Sequence, residues 1–336
     1  MGREADLMKV LVTGGGGFLG GAILRGLLRD GHQVRSFSRG SYPALEKLGV
    51  EVLQGDLVKA ADVQQACRDR DVVFHVAAKA GIWGPFNDYQ QANVTGTQNV
   101  IAACRQEGVP RLVYTSSPSV IFDGCDMEGV DEGVPYPKEY KAAYPQTKAA
   151  AEQLVLKAND KILATVALRP HLVWGPGDTH LIPGIVARGR TGRLRKIGST
   201  PKLVDFTYVD DAAAAHLLAA NRLSPGAPIS GRVFFISQGS PMPLWDFIGR
   251  VLEAADLPAV TTTVSPSMAY AAGWLLEGVY RFLPLSGEPP ITRLLAEELA
   301  TAHWFDIGAA RRELGYQPQI SMEEGFRRLR GWLRES

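Results

Sequence analysis

Three cysteines in 336 residues, Cys67, Cys104 and Cys125, are an odd count with no metal-ligand spacing. That excludes a disulfide framework and a cysteine-based metal site, and it predicts a reducing, cytoplasmic setting. No uninterrupted apolar run reaches the ~20 residues that crossing a bilayer needs. An excess of one charge is also missing: 36 Lys and Arg stand against 35 Asp and Glu, a formal net charge of +1. Without a basic run, nucleic acid is not an expected partner. The opening six residues lack the apolar core of a secretion signal, and position six is neither Ser nor Thr, as myristoylation requires. Met8 is an alternative start, because the first strand begins right after it. Internal repeats and low-complexity segments are absent as well. What is present is ordinary: 46% hydrophobic and 21% charged residues, in a chain long enough for one large or two joined domains.

Lys9-Val10-Leu11-Val12 is a short apolar run ending at a glycine cluster, the pattern of a buried parallel strand. Phe18 to Leu28 then carries helical spacing and stops at Asp30-Gly31. Further strands are predicted over Val34 to Phe37, Val50 to Gln54, Val72 to Ala77, Arg111 to Thr115 and Leu163 to Leu168. Helices between them include Val94 to Glu107 and Tyr144 to Ala158. This alternation predicts an α/β fold of Rossmann type, a doubly wound parallel sheet covered on both faces. The dinucleotide-binding part is expected over 8–170, with 203–238 returning to it through the helix from Asp211 to Ala220 and the strand from Val233 to Ile236. The segments 171–202 and 239–336 form the expected substrate-binding region, smaller and mostly helical toward the C-terminus. Ser321 followed by Glu324 reads as a capping box opening the last helix.

Two local patterns carry chemistry. Gly14, Gly17 and Gly20 sit between a strand and a helix, where the turn must be tight and the backbone must approach a pyrophosphate at the helix N-terminus. Farther on, Tyr144 and Lys148 are four apart and share one helix face, with Pro145 tolerated in the first turn. A free tyrosine, with a pKa near ~10, is a poor acid–base catalyst at neutral pH. A nearby ammonium is expected to lower that value.

The spacing of the loop, Thr13-Gly14-x-x-Gly17-x-x-Gly20, resembles the extended short-chain dehydrogenase/reductase family. The resemblance implies a nicotinamide cofactor held by Gly14, Gly17, Phe18 and Leu19, by Asp56 and Leu57 at the adenine, and by Ala77, Lys79, Tyr144, Lys148 and Pro170. It implies that Tyr144 exchanges a proton with the substrate oxygen, that Lys148 also binds the nicotinamide ribose, and that Ser117 hydrogen-bonds the same oxygen. Asn93 is expected to support the site through backbone contacts. Enzymes selecting NAD place an acid at the end of the second strand. Here that place holds Ser38, followed by Arg39. A small hydroxyl beside a guanidinium suits a 2′-phosphate, so NADP(H) is expected over NAD.

Three longer stretches resemble the 3β-hydroxysteroid dehydrogenase branch of that family: Ser119 to Gly124, Leu168 to Asp178, and Asp205 to Val209. The branch includes sterol-4α-carboxylate 3-dehydrogenases and bacterial reductases of long-chain 2-alkyl-3-oxo acids. The C-terminal stretch from Gly287-Glu288-Pro289-Pro290 through His303-Trp304-Phe305 is most similar to the latter. Both groups interconvert a ketone and a secondary alcohol β to a carboxylate, and an NADPH enzyme is expected to reduce. Reduction of a 2-alkyl-3-oxo acid is therefore the first expectation, sterol oxidation the second and nucleotide-sugar epimerisation the third. Sugar dehydratases of this type carry Asp-Glu where this chain has Pro118 and Ser119, and epimerases continue differently at Val120-Ile121-Phe122. Lys79 and His171 are candidate partners of the substrate carboxylate, with Trp83 and Ser119 as further substrate contacts and no metal. Residues 268–285 read either as a substrate lid or as a helix resting on a membrane. A homodimer is expected from the resemblance.

Overall fold

The computed structural model describes residues 7–283, 285 and 287–335. The opening six residues, on which the leader and lipidation readings rest, lie outside the described residues, as does one position of the 268–285 stretch. Seven strands form the main sheet: β1 (Lys9–Thr13), β2 (Gln33–Ser38), β3 (Glu51–Gln54), β4 (Val72–His75), β5 (Arg111–Thr115), β6 (Ala164–Pro170) and β7 (Arg232–Ile236). Their order is β7-β6-β5-β4-β1-β2-β3, and every pairing is parallel. The doubly wound parallel sheet expected from the sequence is thus present. Successive residues of β1 feed opposite cores, Val10 and Val12 on one face and Leu11 on the other. A strand buried on both faces needs an unbroken apolar run, and that is why Val10-Leu11-Val12 does not alternate.

The helices that matter below are α1 (Phe18–Arg29), α2 (Ala60–Cys67), α3 (Gly96–Gln106), α4 (Ala143–Lys157), α5 (Val209–Arg222), α6 (Leu244–Ala254), α7 (Pro266–Phe282), α8 (Arg293–Glu298) and α9 (Met322–Glu335). The sheet order reverses between β1 and β4, so a crevice opens beyond the carboxyl ends of those strands. A smaller sheet sets the short strand His303–Phe305 parallel to Met127–Val130. This pairing carries the C-terminal segment back to the crevice.

Three departures from the sequence reading have a local physical reason. β4 stops at His75 instead of Ala77 because the Val76 and Ala77 N–H groups donate to Thr13 Oγ1, both at 3.1 Å, and so leave the ladder. The helix expected from Val94 begins as a π-turn over Gln90–Thr95 and becomes α-helical at Gly96. The capping box before α9 is half formed. Ser321 Oγ accepts from the Glu324 N–H at 3.2 Å, but the Glu324 carboxylate is drawn forward to Arg327 and Arg328.

Candidate active site

The crevice is one continuous cleft of about 1580 Å³, running from the glycine loop past Tyr144 to α7 and α8. Ordinary ligand pockets hold roughly 300–1,000 Å³, so this one has room for a dinucleotide and a second molecule end to end.

At the first end, Gly14 has φ +73°, and a Cβ there would stand 3.1 Å from Ala77. At Gly20 a Cβ would fall 2.1 Å from the Gly14 carbonyl oxygen, which no rotamer change relieves. The loop is therefore bare backbone pressed against the segment just after β4, and the N-terminus of α1 opens into the cleft. A buried hydrogen-bond chain fixes that approach. Thr97 Oγ1–H donates to the Asn93 carbonyl at 2.6 Å, so it must accept from His75 Nε2–H at 2.9 Å. His75 Nδ1 is then the acceptor for Thr13 Oγ1–H at 2.9 Å. Burial pushes His75 down to about 3, which keeps the ring neutral as this tautomer requires. Gly14, Gly17, Phe18, Leu19, Ser38, Arg39, Asp56, Leu57, Ala77, Lys79 and Pro170 all line the cleft. Ser38 Oγ is enclosed and has no hydrogen-bond partner, beside exposed Arg39. An unpaired buried hydroxyl costs free energy unless a ligand satisfies it, so this end fits a nicotinamide dinucleotide.

In the middle, Tyr144 sits in the first turn of α4 with Lys148 one turn on, and Ser117 follows β5. Ser117 Oγ accepts from the Ser119 N–H at 3.2 Å and from Ser119 Oγ–H at 3.0 Å. Its own proton is left to point at Tyr144, to which it is hydrogen-bonded. Ser119 therefore orients Ser117. The expected lowering of Tyr144 by Lys148 is not found. Burial pushes the phenol up to about 12, and the bond from Ser117 only moderates this. Lys148 Nζ instead donates to the Thr115 carbonyl at 2.6 Å and lies 4.2 Å over the Tyr114 ring. Burial brings Lys148 itself down to about 7, against the pull of the Glu152 carboxylate. A protonated phenol is a proton donor, not a base. Asn93 locks the neighbouring loop to α4, exchanging hydrogen bonds with the Lys79 backbone and donating to Thr147 Oγ1.

At the far end, the expected substrate contacts part company. Lys79 lines the cleft, but its ammonium is held by Asp88 at 2.8 Å. Trp83 does not line the cleft; it packs edge-on against Tyr280 at 6.3 Å, with the Arg281 guanidinium 5.9 Å over its ring. His171 lines the cleft yet is poorly placed to be a cation. His303 Nε2–H donates to the Glu298 carbonyl at 2.9 Å, so His303 Nδ1 accepts from His171 Nε2–H at 2.7 Å. His171 thus keeps an unprotonated Nδ1, and burial together with its neighbour ring holds it well below the usual histidine range. His303 and Glu298 belong to the site and were not anticipated. They come from a segment with no chemical signature of its own. The remaining wall joins apolar side chains, including Phe122, Met127, Leu294, Leu295, Leu299 and Phe305, to a polar stretch with Asp178, His180, Arg188, Arg193 and Arg195.

The model of the 3-beta hydroxysteroid dehydrogenase/isomerase family matches residues 11–266. The 2-alkyl-3-oxoalkanoate reductase of Stenotrophomonas maltophilia is 52% identical, over 96% of this chain and 98% of that protein. The protein of the same name from Shewanella oneidensis is 46% identical, over 98% of this chain and 87% of its own length. The mouse sterol-4-alpha-carboxylate 3-dehydrogenase (decarboxylating) is 33% identical, over 95% and 89%. Among solved structures, MoeE5 in complex with UDP-glucose and NAD superposes with a TM-score of 0.74 at 26% identity, covering 97% of this chain and 99% of that one.

Proposed function

The chain belongs to the 3-beta hydroxysteroid dehydrogenase/isomerase family, and from that membership we propose that it is an NADPH-dependent reductase of 2-alkyl-3-oxoalkanoates, giving the 3-hydroxy acid. Its family acts on CH–OH groups with a nicotinamide dinucleotide. The observation that carries the substrate class is the run of apolar side chains beyond Tyr144, which suits alkyl chains. The reductase relatives at 52% and 46% identity, against 33% for the sterol enzyme, favour the open-chain keto acid.

Bound in the cleft, the dinucleotide supplies the hydride. The protein's own residues manage the oxygen. Ser117 and Tyr144 hold the ketone oxygen with two donors, and Tyr144 gives up its proton as negative charge gathers there. The alkoxide is far more basic than a phenolate, so a phenol held near 12 still transfers downhill. Lys148, on the same helix face, is left to hold the nicotinamide ribose. Following dinucleotide absorbance with a 2-alkyl-3-oxo acid and a sterol 4-carboxylate tests the reading. Turnover of the sterol alone overturns it.

NADP preference is assigned to Ser38 and Arg39. Ser38→Asp should repel a 2′-phosphate and accept a 2′-hydroxyl. Loss of a charge-assisted bond plus repulsion is worth roughly 2–3 kcal/mol, so kcat/KM for NADPH should fall about 30- to 150-fold while that for NADH is kept or improved. An unchanged NADPH-to-NADH ratio would remove the assignment.

Helix α7 is further read as a contact for a lipid surface. Trp274, Leu275 and Phe282 on it are largely exposed, while Met268, Ala269 and Ala272 line the cleft, so one helix links outside to inside. The buried positions are Ala269, Gly273 and Glu277, and Glu277 is tied to Arg293. No helix among the described residues is long and apolar enough to cross a membrane. Burying one such aromatic is worth about 1.5–3 kcal/mol. Trp274→Glu should therefore cut co-sedimentation with liposomes roughly tenfold or more. Equal sedimentation of both proteins rules the contact out.

A further inference from the structure

Gly14, Gly17 and Gly20 account for the dinucleotide loop, but two further glycines beside it answer to a different demand. Neither Gly16 nor Gly40 takes a positive φ. A Cβ on Gly16 would fall 2.3–2.4 Å from Cζ, Cε1 and Cε2 of Tyr42. One on Gly40 would stand 3.2 Å from Cε2 and Oη of the same ring. Both glycines thus make room for one side chain. Tyr42 sets the hydroxyl end of its ring against the loop after β1 and the loop after β2, bridging the two. The residue is half-buried and lines the cleft, yet its hydroxyl has no hydrogen-bond partner among the described residues.

We propose that Tyr42 completes the subsite for the 2′-phosphate of NADP(H), its hydroxyl acting as a third donor beside Ser38 and Arg39. The proposal rests on the NADP(H) reading of those two residues. They immediately precede Gly40, so the phenol oxygen meets the chain one residue beyond Arg39. All three donors are uncommitted. Ser38 Oγ has no partner, and the Arg39 guanidinium makes no ion pair among the described residues. The Arg39 backbone is nevertheless held, its carbonyl accepting from Gln54 Nε2 at 2.7 Å.

The acids closest in the chain leave these donors to a ligand. Asp56 lines this end of the cleft, and its Oδ1 accepts from the Val58 N–H at 3.1 Å. Asp62 holds the Asp56 N–H at 3.1 Å and does not line the cleft. Glu46, on the short helix Pro43–Glu46, does not line it either, nor does Lys47 after it. A 2′-phosphate offers three terminal oxygens, one for each donor, and bonds from a hydroxyl or guanidinium to such an anion are charge-assisted. Because the ring is already seated on two glycines, little freedom is lost when its hydroxyl engages. The 2′-hydroxyl of NAD(H) carries no charge, so the same phenol gives it much less. Tyr42 thereby determines cofactor specificity and is not only packing for the loop.

The test titrates the whole chain by calorimetry with adenosine 2′,5′-bisphosphate, which carries the 2′-phosphate, and with 5′-AMP, which lacks it. The wild type should bind the bisphosphate more tightly. Tyr42→Phe keeps the ring on Gly16 and Gly40 and removes only the donor. It should weaken the bisphosphate roughly 10- to 100-fold, the range for a hydrogen bond to a charged group, and leave 5′-AMP within about twofold. A Tyr42→Phe protein that keeps the wild-type preference overturns the assignment and leaves Ser38 and Arg39 as the phosphate's donors. Equal weakening of both nucleotides overturns it too, because a purely structural ring would act that way. If the wild type binds the two nucleotides alike, the NADP(H) reading itself fails, and the subsite with it.

Discussion

Tyr144→Phe should lower kcat for ketone reduction by roughly 10²–10⁴-fold, the range for loss of a positioned general acid. Dinucleotide binding should change little, because the glycine loop, Ser38 and Asp56 lie at the other end of the cleft. The residual rate belongs to Ser117, whose proton is already turned into the site by the two bonds it accepts from Ser119. Removing that hydroxyl too, by Ser117→Ala in the same chain, should bring the rate down again. The phenol's value of about 12 also sets an asymmetry between the two directions. Reduction starts from the protonated phenol, which persists through the physiological range, so kcat for reduction carries no rising limb from Tyr144. Oxidation starts from the phenolate, whose fraction grows with pH, so kcat for the alcohol should climb steadily between about pH 6 and 10. A Tyr144→Phe enzyme that turns over at the wild-type rate defeats the whole chemical scheme.

Much of the first half of this site is legible in the sequence because its determinants are local. A glycine that must present bare backbone and a helix that must start within a few residues leave a compact signature, Gly14 to Gly20. Tyr144 and Lys148 need only one helical turn. The failures have a common cause, which is distance along the chain. Val76 and Ala77 read as strand until Thr13, more than sixty positions earlier, claims their N–H groups. His171 reads as a cation for a carboxylate until His303, 132 positions later, fixes its tautomer. Trp83 reads as substrate wall until Tyr280 and Arg281 arrive from α7. The effect of Lys148 on Tyr144 was a property of spacing alone. Lys148 is turned to the Thr115 carbonyl, and burial, which spacing does not report, moves the phenol in the opposite direction.

Arg169→Met is expected to be the most destabilising single change outside the glycine loop. Arg169 and Glu152 are almost fully enclosed, 2% and 0% exposed, and are joined twice, Nε to Oε2 at 3.0 Å and Nη2 to Oε1 at 2.5 Å. Tyr136 donates to the same carboxylate at 2.6 Å, and the guanidinium lies 5.3 Å over the Phe235 ring. Removing the cation strands a buried carboxylate with one hydroxyl donor, which costs about 3–5 kcal/mol out of a usual total of about 5–15. Denaturant melts should show that loss as a shifted midpoint; a change below about 1 kcal/mol contradicts it. Replacing both partners, Arg169→Met with Glu152→Leu, exchanges an ion pair for apolar packing and should recover most of the stability. Activity should not recover with it. The Glu152 carboxylate opposes the desolvation of Lys148, and without it the amine falls further below about 7 and is uncharged at neutral pH. The double variant would then fold normally and reduce its substrate only at lower pH, which identifies the buried pair as the support that keeps the lysine cationic.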